Sequence, residues 1–194
     1  MNRRQFLTAA AWTPIVVVLG AKLTATIRPY PLQHLLTQLR ALKPDALTST
    51  GSWTVSEILQ HCTQSIRYSI SGYPQAYSAL FQNTAGKLAL NLFAATGSMH
   101  HPLDQPIPGA PALIPELPND VALRELTFEL QQFINWQGEL APHFAYGSLT
   151  KAQYYSVHYL HLQSHLALLP ANDHASRAIV VQMRDDEARH AAEA

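Results

Sequence analysis

The sequence predicts an all-α protein, an up-and-down four-helix bundle with an extra helix and a long proline-rich loop, and three observations carry that expectation. Apolar residues recur at steps of three and four in successive windows, proline or glycine closes each window, and no window shows the alternation of a strand. With 194 residues, 47% hydrophobic and only 13% charged, the chain is long enough for one domain with a full core.

In chain order, Met1 to about Ala25 reads as an export signal. Arg3 and Arg4 precede an apolar run from Phe6 to Leu19, which Pro14 interrupts and which is too short for a spanning helix. The segment Asn2-Arg3-Arg4-Gln5-Phe6-Leu7-Thr8 resembles the twin-arginine motif. That resemblance implies export of a folded protein by the twin-arginine machinery, to a periplasmic or membrane-tethered position on the outer face of a bacterial inner membrane. Leu19-Gly20-Ala21 and Leu23-Thr24-Ala25 are poor cleavage sites, so an uncleaved leader would be the chain's one membrane contact. A cut near Ala25 leaves 10 basic against 13 acidic residues, which supplies no patch for nucleic acid. Cys62 is the single cysteine, so no internal disulfide forms.

The remaining chain divides into a bundle at 26–170 and a tail at 171–194. Leu32, Leu35, Leu36, Leu39 and Leu42 mark the first helix, ended by Lys43-Pro44. Thr54 and Glu57 fit a capping box for a second helix, which carries Val55, Ile58, Leu59, Cys62, Ile66 and Ile70 to about Ser71. A third helical run is expected from Ala76 to Ala95. Six prolines between Gly97 and Asn119 then deny the backbone a regular ladder, which predicts a surface loop walling one end of the site. Asn119 or Asp120 is expected to cap a helix running to about Leu140. After a turn at Pro142, Gly147 and Ser148 comes the most informative stretch.

From Tyr154 to Leu169 the chain reads YYSVHYLHLQSHLALL, with His158, His161 and His165 at steps of three and four. On a helix these stack on one face, where a core helix would carry leucine. Burying them unpartnered costs roughly 1 to 3 kcal/mol for each unsatisfied group, so something should bind them. One reading is a set of core histidines bonded to backbone, tyrosine or water. The other is a metal, since His161 and His165 present two nitrogens to one ion from successive turns. Leu162 excludes the zinc-protease helix motif, which has glutamate after its first histidine.

Trp53 followed by Ile58-Leu59-Gln60-His61, the loop Ile107-Pro108-Gly109, the turn Phe144-Ala145-Tyr146-Gly147 and the pair His161 and His165 together resemble the DinB-like metal-binding helical bundles, in a branch of unknown function. The resemblance covers about Leu32 to Leu169. It implies a divalent ion held by one histidine of the second helix and two of the last, here His61, His161 and His165. Zinc is the first expectation, with nickel or iron as the others. Relatives include enzymes that transfer low-molecular-weight thiols. Ser164 and Leu168 stand where many relatives carry a histidine and a glutamine, so the metal site carries over more directly than the reaction.

Three neutral imidazoles leave a tetrahedral ion one open position, as in catalytic zinc sites. Two function classes follow: a metal-dependent enzyme of hydrolase type acting on a small molecule, or a non-catalytic metal-binding or partner-binding bundle of the cell envelope. The candidate catalytic residues are Glu57, whose other role is the capping box, and His158, as base, outer hydrogen-bond donor or alternative ligand. His100 and His101 are expected to be a solvated loop pair and Cys62 a small core residue. No role is assigned to His34, His143, His174 and His190.

Overall fold

The computed structural model describes residues 30–192, so the expected leader lies outside the described residues. The described chain is all-helical: α1 Leu32–Ala41, α2 Val55–Ser71, α3 Ala79–Phe81, α4 Lys87–Thr96, α5 Asn119–Asn135, α6 Lys151–Leu166 and α7 His174–Ala192. Apart from isolated bridges such as His143 with Gly147, no extended pairing occurs among the described residues. None of these helices is long and apolar enough to cross a membrane.

The leucine stripe of α1 is fully withdrawn from solvent at Leu32, Leu35, Leu36 and Leu39. It meets Ile58, Leu59 and Ile66 of α2, Leu126, Leu130 and Phe133 of α5 and Leu160 and Leu162 of α6 in one core cluster. Each such side chain contributes roughly 1.5 to 3 kcal/mol by leaving water, and this burial holds the helices side by side. The helices that carry His61 and the pair His161 and His165, α2 and α6, both start at a reciprocal cap. Thr54 and Glu57 close α2 as the sequence implies, and Thr150 and Gln153 close α6 in the same way.

Three expectations need correction. The third helical run begins at Ala79 rather than Ala76 and contains a π turn, Gln82–Gly86, between α3 and α4. Neither Asn119 nor Asp120 caps α5: both are already inside the helix, and Asp120 instead pairs with Arg124. That helix also stops at Asn135, short of Leu140, because Trp136 turns extended and Lys151 Nζ donates to the carbonyls of Ile134 and Trp136. The 171–194 tail is structured through Ala192 as α7. Asp173 Oδ1 caps it by accepting the Ala175 and Ser176 N–H groups, at 3.0 and 3.1 Å. Val180 and Met183 are its buried apolar contacts, and Gln163 Nε2 donates to the Met183 carbonyl at 3.1 Å.

The π turn positions the site. Across it Phe81, Gly86, Ala89 and Phe93 all face one cavity, at steps of five, three and four, because the wider turn absorbs one extra residue. Gly86 admits this approach: a Cβ there would lie 2.1 Å from the Ala145 carbonyl oxygen. Gly86→Ala is therefore expected to push α4 off the 143–147 turn and to cost roughly 1 to 3 kcal/mol, the range for overpacking. Urea midpoints of the variant and the parent check this, and equal midpoints would show that the turn yields freely.

Candidate metal centre

His61 comes from the middle of α2, and His161 and His165 from successive turns of α6. One ring nitrogen from each lies within 4.8 Å of the others. The Nε2 atoms of His61 and His161 are 3.2 Å apart. Two lone pairs that close repel unless a proton or a cation sits between them. Zinc–nitrogen bonds of ~2.0 to 2.1 Å put tetrahedral ligand atoms ~3.3 Å from one another, so small rotamer adjustments would close the set on one ion. Both nitrogens of His165 and Nδ1 of His61 are buried and lack any hydrogen-bond partner among the described residues. This donor set fits a divalent ion.

Burial keeps the three imidazoles neutral. Removal from water lowers His61 to about 4, aided by the positive charge His101 would carry if protonated, and lowers His165 to about 2. The same desolvation, with His165 and His61 adding to it, holds His161 well below the ordinary value. All three thus present lone pairs at neutral pH. Trp53 backs the cluster, its ring 5.0 Å from His61 and nearly parallel to His165 at 6.3 Å.

A cavity of about 300 Å³ opens beside His61 and His161. The proline loop walls it with Met99, Pro102, Ile107 and Pro108, as the sequence leads one to expect. Two glutamines of α2 hold the loop in place. Gln60 exchanges a pair of hydrogen bonds with the Ile114 backbone at 2.8 and 3.0 Å, and Gln64 donates to the Pro111 carbonyl at 3.1 Å.

The two candidate catalytic residues lie elsewhere. The carboxylate of Glu57 accepts the Thr54 N–H at 2.8 Å in the capping box and does not line the cavity. His158 is fully buried, edge-on to Phe133 at 4.6 Å and stacked on Tyr154 at 5.2 Å, outside the close group of three. Tyr154 spends its hydroxyl on the Ala141 carbonyl at 2.8 Å, and Cys62 is a buried core residue.

Two other histidines take their place. His101 is not solvated with His100: its ring stacks on His161 at 5.2 Å and lies 5.2 Å from His165. Its Nδ1 contacts the Pro102 carbonyl at 2.8 Å, which can only accept, so Nδ1 carries the proton and Nε2 faces Ser164 Oγ at 3.3 Å. His143 is buried on the cavity wall, stacked on Tyr146 at 4.4 Å, with Nδ1 accepting the Ala145 N–H at 3.1 Å. The aromatic turn Phe144-Ala145-Tyr146-Gly147 was a usable signal for His143. Nothing local marked His101, since its position depends on how the proline loop folds back.

The family described as Protein of unknown function (DUF1569) matches residues 26–172. The chain belongs to the DUF1569 family. Its match takes in α2, α6 and the proline loop. Curated relatives match over a short stretch only. A 3-demethoxyubiquinol 3-hydroxylase of Albidiferax ferrireducens is 79% identical over 34 residues, 18% of this chain and 16% of that protein. Proteins of the same name from a Polaromonas species and from Verminephrobacter eiseniae are 71% and 68% identical over 34 residues. The chain thus spans about a sixth, 16%, of the length of the curated relatives it matches. No solved structure matches.

Proposed function

We propose that this DUF1569 chain is an exported metal-dependent enzyme of the DinB-like kind, of hydrolase type, acting on a small molecule at the His61, His161 and His165 centre. The observation that carries it is three neutral imidazoles converging beside a cavity, with no fourth histidine, cysteine or carboxylate in the close group among the described residues. The packing of α1, α2, α5 and α6 around one core supports a four-helix bundle as its frame. The hydroxylase name of the curated relatives rests on 18% of the chain and is not carried over.

Zinc, with nickel or iron next, would supply Lewis-acid activation of water or of a substrate carbonyl when bound. His61, His161 and His165 would hold it. Among the described residues no Asp or Glu lines the cavity, so proton transfer falls to imidazole. His101 is placed for it: the Pro102 carbonyl holds its Nδ1–H and leaves an Nε2 lone pair on the side of Ser164. Met99, Ile107 and Phe93 give the cavity an apolar lining.

A test purifies protein exported by its own leader, counts metal per chain and follows hydrolysis of neutral aryl esters with and without chelator. One ion per chain and turnover lost both on chelation and in His61→Ala support the enzyme. X-ray absorption that counts a fourth protein ligand, without turnover, would favour the non-catalytic metal-binding reading. Leu80, Leu88 and Leu92, exposed at 76, 71 and 57%, are the observation that favours partner binding. Replacing Arg3 and Arg4 with lysine should leave folded protein in the cytoplasm, because the twin-arginine route reads guanidinium groups whereas a general secretory signal needs only charge. Unchanged export excludes that route.

A further inference from the structure

We infer that the cavity beside the histidines takes an uncharged, largely aromatic small molecule, an inference that rests on reading this cavity as a substrate site. Its aromatic lining comes from two segments. Phe81 and Phe93 come from α3 and α4, and Phe144 and Tyr146 from the turn before α6. Met99 and Ile107 of the loop, both buried, close the apolar surface.

Among the described residues, no Asp, Glu, Lys or Arg lines the cavity. The nearby cations are turned away from it. Lys87 Nζ donates to the Ser148 carbonyl at 3.4 Å, Lys151 to the carbonyls ending α5, and Arg67 pairs with Glu129 at 2.8 Å. A carboxylate, phosphate or sulfonate placed here would lose its water and meet no counter-charge from the protein. The polar lining consists of neutral groups, Ser65, Gln105, the imidazoles and the phenols of Tyr77 and Tyr146, which suit a carbonyl or hydroxyl on a flat apolar body. The Leu80, Leu88 and Leu92 side chains leave the other side of the same helical run, so a probe that merely sought exposed apolar surface would bind there instead.

Two fluorophores that share one skeleton and differ by a charge test this: neutral N-phenyl-1-naphthylamine and anionic 8-anilinonaphthalene-1-sulfonate, titrated into zinc-loaded and into chelated protein. The neutral probe is expected to bind one-to-one and at least roughly tenfold tighter than the sulfonate in the chelated protein, while the charge of bound zinc narrows that gap in the loaded form. Ala89→Trp, which fills the cavity from α4, should weaken the neutral probe at least roughly tenfold. The double change Leu88→Gln with Leu92→Gln should leave it unmoved. Gln105→Arg, an exposed position on the lining, should recover the sulfonate and narrow the gap between the probes, and it serves as the readout if Ala89→Trp does not fold. Equal or tighter binding of the sulfonate by the chelated parent protein overturns the inference. So does loss of the neutral probe in the leucine variant but not in Ala89→Trp. Because the chelated protein is titrated too, failure of the metal reading appears in metal content, and failure of this one in the order of the probes.

Discussion

Substituting alanine at His161 or His165 is expected to abolish stoichiometric metal, while His158→Ala retains it. The first two present ring nitrogens to a common point with His61, whereas His158 is enclosed by Phe133 and Tyr154. Two remaining imidazoles cannot complete a tight site, so affinity should drop by at least roughly a hundredfold, the scale on which metal-ligand shells respond. Metal present at a hundred times its dissociation constant stabilises the folded state by ~2.7 kcal/mol. For a domain of this size that corresponds to roughly 5 to 11 °C in Tm, which chelation should remove from the parent and leave unchanged in His161→Ala. Calorimetry with and without chelator, beside elemental analysis, reads both effects. Metal kept by His61→Ala and lost by His158→Ala would instead mean a site built along α6 alone.

Metal-free protein is expected to lose stability steeply between pH 6.5 and pH 4. His143 and His158 are both lowered by burial to about 3, His143 also by the charge His158 would carry. An unfolded chain takes protons on these side chains near pH 6.5, while the folded one refuses them until about pH 3. Stability is therefore complete above pH 6.5 and falls as the pH drops towards the folded values, at about 1.4 kcal/mol per pH unit for each group. By pH 5 the two together cost on the order of 4 kcal/mol, a large share of a typical domain's stability. His61 and His165 shift in the same direction and steepen the slope in the absence of metal. Urea titrations of chelated protein at pH 7 and pH 5 measure it. His158→Leu should flatten the dependence by about one proton, and a midpoint that does not move between the two pH values would contradict buried neutral imidazoles.

What the sequence determined by itself is the part governed by neighbours a few residues apart. The leucine rhythm of α1, the Thr54–Glu57 cap of α2, the stacking of His161 over His165 and the irregular backbone of the proline loop all follow from helical periodicity, capping chemistry and fixed proline φ angles. The pairing of those two histidines with His61 came from a resemblance spanning separate helices, and the close approach of the three nitrogens agrees with it. Tertiary structure alone decided the rest. The π turn exists because α4 must follow the 143–147 turn with Gly86 against the Ala145 carbonyl, a constraint from some sixty residues away. His101 reaches His161 from a loop whose far end Gln60 and Gln64 hold to α2. Glu57 is the opposite case, since its carboxylate is held by the local cap that the sequence already offered for it. Local periodicity places a residue on a face of its own helix. Which loop folds over that face, and which imidazole it brings, is set by contacts between segments far apart in the chain, and no short window of sequence contains them.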